Sequence, residues 1–147
     1  MAPTVPRCAS GVRNEASGVE IAAACDFVVA TPGATFRTPE AQRGTVGATQ
    51  RLPRIIGKRL AKDLMFTGRV LTADEARTAG LVARVVEDLH KEATIIGEAI
   101  LKASPLAMKL AKRTIDRGIE LDPQGALQAE IEAIEEQLAA GQWMGKT

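Results

Sequence analysis

Residues 17 to 40 read SGVEIAAACDFVVATPGATFRTPE and contain one predicted helix followed by two short predicted strands. The helix begins near Ser17, a candidate N-cap, and its first turn carries Glu20 ahead of alanines that favour helix. Residues 27–30 are rich in β-branched side chains, and a proline-containing turn follows them and also follows residues 34–36. Alternation of helix and strand over this distance favours an α/β layer.

Beyond residue 50 the pattern becomes helical, with well-marked helix ends. A stripe of Leu60 and Leu64 stops at Gly68. Thr72 and Glu75 form a predicted capping box. The next helices are predicted to begin at Asp88, at Ser104-Pro105 and at Asp122-Pro123.

These patterns divide the chain into three parts. Residues 1–16 show no apolar period, so we expect a poorly ordered lead-in there. Residues 17–86 form a predicted α/β core, and residues 87–147 form a predicted helical C-terminal region. The last helix carries Leu127, Ile131, Ile134 and Leu138 among glutamates, a stripe that indicates either core packing within the chain or a subunit interface.

The composition argues against several classes of partner. The 147 residues include 19 Lys and Arg against 18 Asp and Glu, without a long run of one sign. We therefore expect no nucleic acid and no membrane as partner. Cys8 and Cys25 lack metal-ligand spacing, which indicates reduced thiols in an intracellular protein, either cytoplasmic or in the mitochondrial matrix.

Two glutamates, Glu20 and Glu40, are the candidate catalytic residues. A pair of carboxylates can add water across a double bond conjugated to a carbonyl, since one takes a proton from water while the other protonates the α carbon. The charge that builds on the carbonyl oxygen needs fixed donors, and the backbone N–H groups of Ser17 and Gly18 at a helix start are candidates. A glutamate pair alone is a weak signal, because most glutamates lie on solvated surfaces.

The surrounding motifs resemble the enoyl-CoA hydratase/isomerase (crotonase) family, in that family's order and spacing. The similarity runs from about residue 17 to about residue 118 and corresponds to the C-terminal half of a subunit. The motifs are GVEIAAACD at residues 18–26, ATF at 34–36, PE at 39–40, TQRLPRIIG at 49–57, FTGR at 66–69, ADEA at 73–76 and AGLV at 79–82.

The resemblance implies a partial crotonase-like β-β-α spiral followed by a C-terminal helical region. It implies that Glu20 and Glu40 are the catalytic pair of a hydratase acting on 2-enoyl-CoA thioesters, in fatty-acid or related acyl-CoA degradation. It also implies that the backbone N–H matching Ser17 is an oxyanion donor. The implied partners are the acyl-CoA substrate and further copies of the chain in a trimer or hexamer, with no cofactor beyond the CoA of the substrate.

Two alternatives stay open at this stage. One is an enoyl-CoA isomerase or another crotonase member. The other is a catalytically inactive, truncated form that binds full-length subunits.

Departures from the family pattern bear on the site. The turn at residues 44–48 is shorter than the family's, a change that can displace the carboxylate of Glu40. The family's N-terminal half has no counterpart, and the chain stops before the family's closing helix. From these features we expect an incomplete CoA site, acyl pocket and trimer contact.

Other sites are not indicated by the sequence. No phosphate-binding loop precedes Lys58, and no His, Cys and Asp cluster indicates a metal site. His90 lacks a partner in sequence, so we expect a surface residue. The basic stretch of Arg51, Arg54, Lys58, Arg59 and Lys62 indicates either a solvated helix face or a contact to CoA phosphates.

Overall fold

The computed structural model describes residues 8–9 and 13–141, with side chains from Glu15 onward. The chain forms two compact units, residues 1–95 and 96–147. The division falls inside a helix, further along the chain than the boundary at residue 86 that the sequence suggests.

Two small sheets are present in the described part of the first unit. The strands are β1 (Cys8–Ala9), β2 (Arg13–Glu15), β3 (Val29–Ala30), β4 (Thr35–Arg37), β5 (Leu71–Thr72) and β6 (Arg84–Val85). One sheet has the order β1-β3-β6 with parallel pairs. The other has the order β2-β4-β5, in which β2 and β4 are parallel and β4 and β5 are antiparallel.

Four helices of the first unit pack around these strands. They are α1 (Ser17–Ala23), α2 (Arg51–Ile56), α3 (Lys58–Thr67) and α4 (Ala73–Thr78), and a 3₁₀ turn covers Ala41–Arg43. One hydrophobic cluster joins Val19 of α1, Phe36 of β4, Leu52 of α2, Leu64 of α3 and Leu71 of β5. Burial of each such large side chain stabilises the fold by about 1.5–3 kcal/mol.

The ends of α3 and α4 are those that the sequence predicts. Gly68 ends α3 with a left-handed φ of 64°. At the start of α4 the Thr72 hydroxyl accepts the N–H of Glu75, and the Glu75 carboxylate accepts the N–H of Thr72 at 2.8 Å, which confirms the capping box. The bond from the Thr72 N–H lowers the pKa of Glu75 below its ordinary value.

At the start of the chain the structure differs from the sequence-based expectation. Strands β1 and β2 lie within residues 1–16, for which we expected no regular element; residues 1–7 and 10–12 lie outside the described residues. The N-cap of α1 is Ala16 rather than Ser17, and no side chain caps that helix. Strands of two or three residues have no detectable period, and only their pairing with β3 and β4 defines them.

The described part of the second unit is helical. It contains two whole helices and the end of a third, α5 (Leu89–Leu101), which starts in the first unit. The whole helices are α6 (Pro105–Gly118) and α7 (Pro123–Ala139). Ser104 caps α6 by accepting the N–H of Ala107 at 3.3 Å. Asp122 caps α7 by accepting the N–H groups of Gln124 and Gly125 at 3.0 Å, and these bonds lower the pKa of Asp122.

Helices α6 and α7 lie side by side in opposite directions. Two ion pairs join them: Arg113 with Glu136 at 2.6 Å, and Arg117 with Glu132 at 3.5 Å. The residues that α7 buries are Ala129 and Ala133. The expectation of core packing for the large apolar stripe of α7 is therefore wrong, because its members, Leu127, Ile131, Ile134 and Leu138, are 42–59% exposed.

The predicted α/β class with a helical C-terminal region is confirmed. The first unit contains strands and helices, and the described part of the second unit is helical. Within the described residues, no helix combines the length and the apolar character that a membrane crossing needs.

Candidate active site

A parallel strand pair brings the segments of the two candidate glutamates to one edge of a sheet. Strands β2 and β4 run parallel, and Glu15 lies opposite Arg37 at their ends. Helix α1, which carries Glu20, begins directly after β2, and Glu40 follows shortly after β4. The carboxyl ends of parallel strands meet at the same edge, so this pairing explains how residues far apart in sequence become neighbours.

Glu20 is half-buried and held by a backbone donor. Its Oε1 accepts the N–H of Ala48 at 2.8 Å. Ala48 precedes α2 and has a φ of 55°, in the left-handed region that alanine rarely adopts. The hydrogen bond fixes one oxygen of the carboxylate and aims the side chain toward the turn before α2.

Glu40 is the more deeply buried of the two, with 8% of its surface exposed. It is the N-cap of the 3₁₀ turn, and its carbonyl oxygen accepts the N–H groups of Arg43 and Thr45, each at 3.0 Å. Its Oε2, like the Oγ1 of Thr38, is buried without a hydrogen-bond partner among the described residues. Such a group normally has a partner, so Glu40 has a hydrogen-bonding position that a bound molecule can fill.

Gly47 is where the two carboxylates meet. A Cβ placed on Gly47 would lie 3.0 Å from the Oε1 of Glu40 and 3.4 Å from the Oε1 of Glu20. Two oxygens at those distances from one point can be no further apart than the sum of the two distances. The carboxylates of Glu20 and Glu40 therefore lie close together beside Gly47.

The backbone N–H groups of Ser17 and Gly18 lie in the first turn of α1. The next two N–H groups, those of Val19 and Glu20, donate to the carbonyl of Ala16 at 3.0 and 3.2 Å. Those of Ser17 and Gly18 find no acceptor within the part of the chain that is described, as the start of a helix requires. Ala16 has a φ of 48° and donates its own N–H to Arg37 at 3.1 Å, so β4 holds this turn in place.

Gly47 and Ala48 are site residues that sequence reasoning missed. The sequence identifies the turn at residues 44–48 as shortened but gives no signal that its glycine lies beside both carboxylates. The N–H donor of Ala48 is also undetectable in sequence, because alanine carries no preference for a left-handed φ. The short turn nevertheless places Gly47 against Glu40 and Glu20.

The remaining candidate residues lie at the surface. His90, in the first turn of α5, is exposed, as predicted. The basic residues Arg51, Arg54, Lys58, Arg59 and Lys62 are all exposed. The described side chains hold no group of three or more His, Cys, Asp or Glu arranged for a metal ion.

Comparison with known proteins adds the family. A family model described as enoyl-CoA hydratase/isomerase matches residues 10–143. The chain belongs to the enoyl-CoA hydratase/isomerase family. This confirms the resemblance that the motifs indicate, and with it the crotonase-like fold.

Named relatives of this family member include two hydratases. The short-chain-enoyl-CoA hydratase of Clostridium acetobutylicum is 43% identical over 124 residues, which cover 81% of this chain and 48% of the relative. The crotonyl-CoA hydratase of Syntrophomonas wolfei is 40% identical over 121 residues, covering 79% of this chain and 46% of the relative. A solved structure, the enoyl-CoA hydratase of Bacillus anthracis, matches with a TM-score of 0.82 and 38% identity over 88% of this chain and 53% of that one.

The chain spans about half the length of the curated relatives it matches. The range matched by the family model, residues 10–143, includes the two glutamates, the first turn of α1 and the turn at residues 44–48. A role in the enoyl-CoA hydratase family follows from these matches, while the substrate and the reaction of the whole protein need an argument from the site itself.

Proposed function

We propose that the site adds water to 2-enoyl-CoA thioesters, with Glu20 and Glu40 as the acid/base pair. The observation that carries this proposal is the convergence of Glu20 Oε1 and Glu40 Oε1 on Gly47. Hydration needs one proton transfer from the water molecule and one to the α carbon, and two neighbouring glutamates can perform both.

In the proposed reaction a water molecule lies between the two carboxylates. One carboxylate takes a proton from the water as its oxygen bonds to the β carbon, and the electron pair of the double bond moves toward the thioester carbonyl. The other glutamate, in its protonated carboxylic acid form, gives its proton to the α carbon, and the proton taken from the water then restores that form for the next turnover. The elements of water are added and nothing is oxidised or reduced, so the chemistry requires no group beyond the CoA of the substrate.

The first turn of α1 is the proposed binding site for the thioester oxygen. Negative charge builds on that oxygen as the enolate-like transition state forms. The N–H groups of Ser17 and Gly18 lie at the positive end of the helix, in the turn that leads to Glu20. We propose Ser17 as the main donor, in agreement with the family resemblance.

Two carboxylates at the site favour hydration over double-bond isomerisation, because a proton shuttle between two carbons of one substrate needs only one. The pathway, fatty-acid or related acyl-CoA degradation, stays a prediction from the resemblance, and the compartment stays a prediction from the two cysteines.

A decisive experiment measures hydration of crotonyl-CoA by the full 147-residue chain, following loss of the absorbance of the conjugated thioester. We expect Glu20→Gln and Glu40→Gln each to lower the rate by about 10²- to 10⁴-fold, as for loss of a general acid or base. Glu130→Gln on the exposed face of α7 is the matched control and should leave the rate unchanged. A folded chain without turnover, or a glutamine variant with wild-type turnover, would contradict the proposal.

A second candidate function is supported by α7. Its residues Leu127, Ile131, Ile134 and Leu138 form an apolar stripe that is 42–59% exposed, as expected for a subunit-binding surface. On this candidate the chain binds copies of itself or longer subunits of the family. Sedimentation of the chain over a range of concentrations, with Ile134→Ser as the variant, tests it: a mass that stays monomeric throughout would contradict self-association.

A further inference from the structure

The C-terminal end of α3 is held by two side chains from the segment that contains Glu40. The last carbonyl groups of a helix lack partners within the helix and need other donors. Here Gln42 Nε2 donates to the carbonyls of Met65 at 3.1 Å and Phe66 at 3.0 Å, and Arg37 Nε donates to the carbonyl of Gly68 at 2.5 Å. We call this set of contacts the α3 clamp.

The fit between Gln42 and Gly68 is close. Gly68 has a φ of 64°, and a Cβ on it would lie 2.6 Å from both Cδ and Oε1 of Gln42. The amide of Gln42 therefore occupies the space over the helix end that a side chain at position 68 would need. Such close packing favours one rotamer of a side chain that is otherwise exposed.

The clamp brackets Glu40. Arg37 precedes Glu40 at the end of β4, and Gln42 follows it in the 3₁₀ turn. Within that turn, the bonds to Glu40 are those from the N–H groups of Arg43 and Thr45 to its carbonyl oxygen. These local bonds set the shape of the turn, whereas Gln42 fastens the turn to a helix that is itself part of the core.

We propose that Gln42 is a positioning residue for Glu40, acting through the end of α3. This inference rests on the proposed hydratase function. Glu40 must face Glu20 within the reach of one water molecule, and a displacement on the order of 1 Å can cost a hundredfold in rate. Gln42 limits that displacement because its two donors tie the turn after Glu40 to fixed carbonyl groups.

The test compares kcat and KM for crotonyl-CoA in three variants of the full chain. Gln42→Ala removes the donors, and Gln42→Glu keeps the size but replaces the donor by an acceptor; we expect kcat to fall about tenfold in both, with KM unchanged. Gln42→Lys restores a donor of sufficient length and should recover most of kcat. Gln128→Ala on α7, an exposed glutamine in the second unit, is the matched control and should behave as wild type.

A double-mutant cycle separates positioning from a general structural effect. If Gln42 acts through Glu40, Gln42→Ala should have no further effect on the residual rate of Glu40→Gln. An equal loss in both backgrounds, or wild-type kcat in Gln42→Ala, would overturn the proposal.

Amide hydrogen exchange gives a readout that does not depend on turnover. The N–H groups of Arg43 and Thr45, which donate to Glu40, should exchange several-fold faster in Gln42→Ala, while that of Gly125 in the α7 cap should not change. Unchanged exchange at Thr45 would overturn the clamp. If the wild-type chain does not hydrate crotonyl-CoA but exchange at Arg43 and Thr45 is still faster in Gln42→Ala, the proposed reaction is contradicted and the clamp remains supported.

Discussion

The two units of this chain are stabilised in different ways. In the first unit fifteen buried residues form a single cluster, which includes Phe36, Leu52 and Leu71. In the second unit the buried residues of the described part are Ile96, Leu110, Ala129 and Ala133, and most large apolar side chains of α6 and α7 are exposed. The first unit therefore fixes its geometry through its core, and the second through helix caps and a helix pair.

Hydrogen bonds show the same difference. The bonds that define the site are long-range, since Ala48 and Glu20 lie 28 residues apart and Gln42 and Met65 lie 23 apart. In the second unit the caps of α6 and α7 are local, and the ion pairs between these helices are half-exposed. Exposed ion pairs of this kind contribute about 0–1 kcal/mol each. Precise placement of catalytic groups is thus expected in the first unit and not in the second.

The largest expected effect is on the free energy of unfolding when a leucine is replaced by alanine in each of the two units. Leu52 is 1% exposed and Leu127 is 59% exposed. Leu52→Ala should lower the free energy of unfolding by about 2–5 kcal/mol because it opens a cavity in the core. Leu127→Ala should change it by less than about 1 kcal/mol. Urea denaturation followed by circular dichroism measures both, and a large loss for Leu127→Ala would mean that a second copy covers α7.

The next effect concerns the geometry of the site. Gly47→Ala should lower the rate of crotonyl-CoA hydration by about ten- to hundredfold, because its Cβ would lie only 3.0 Å from Oε1 of Glu40 and would push that carboxylate from its place beside Glu20. Gly33→Ala is the matched control, since a Cβ there would meet no atom within 4 Å and its φ is not left-handed. Steady-state kinetics on both variants decides the question. Equal activity of the two would show that the spacing between Glu20 and Glu40 tolerates an added methyl group.

Two glycine substitutions in the second unit, Gly97→Ala and Gly141→Ala, should change the stability of the chain in opposite directions. Gly97 lies inside α5, and a Cβ there would meet no atom within 4 Å. Gly97→Ala should therefore stabilise the chain by about 0.5–1 kcal/mol. Gly141, after α7, has a left-handed φ of 67°, so Gly141→Ala should destabilise by about 1–2 kcal/mol. Thermal melts compare the pair, and a shift in the same direction for both would contradict the helical assignment.

The smallest expected effect is a pH dependence in the cap of α7. The N–H groups of Gly125 and Gln124 lower the pKa of Asp122 in the folded chain below the ordinary value of 3.8. A lowered folded pKa contributes stability that is present above the ordinary pKa and is lost as the pH falls through the folded one. Asp122→Asn keeps a capping oxygen but does not titrate.

The measurement is helicity at pH values from about 5 down to about 2. The difference in helicity between wild type and Asp122→Asn should shrink as the pH falls, because the stabilising charge of Asp122 is lost. A difference that is independent of pH would mean that the ionised cap contributes nothing.

Several helix starts but little of the site's geometry can be predicted from sequence. The starts of α4, α6 and α7 are set by capping residues such as Thr72, Ser104 and Asp122, and all three are where the sequence predicts them. Each cap acts on residues that follow within one turn, so the pattern is visible locally. Strand β2 has no such local signal, yet its parallel pairing with β4 is what places α1 and Glu20.

The sequence by itself determined the family, the fold class and the capping residues of α4, α6 and α7, and it singled out Glu20 and Glu40 as candidates, because these inferences depend on motifs and on contacts between near neighbours. Only the tertiary structure decided that the two carboxylates meet at Gly47, that Ala48 donates to Glu20, and that the α7 stripe is exposed. These features join residues that lie far apart in the chain. Their distances depend on strand pairing and core packing, which no local pattern encodes.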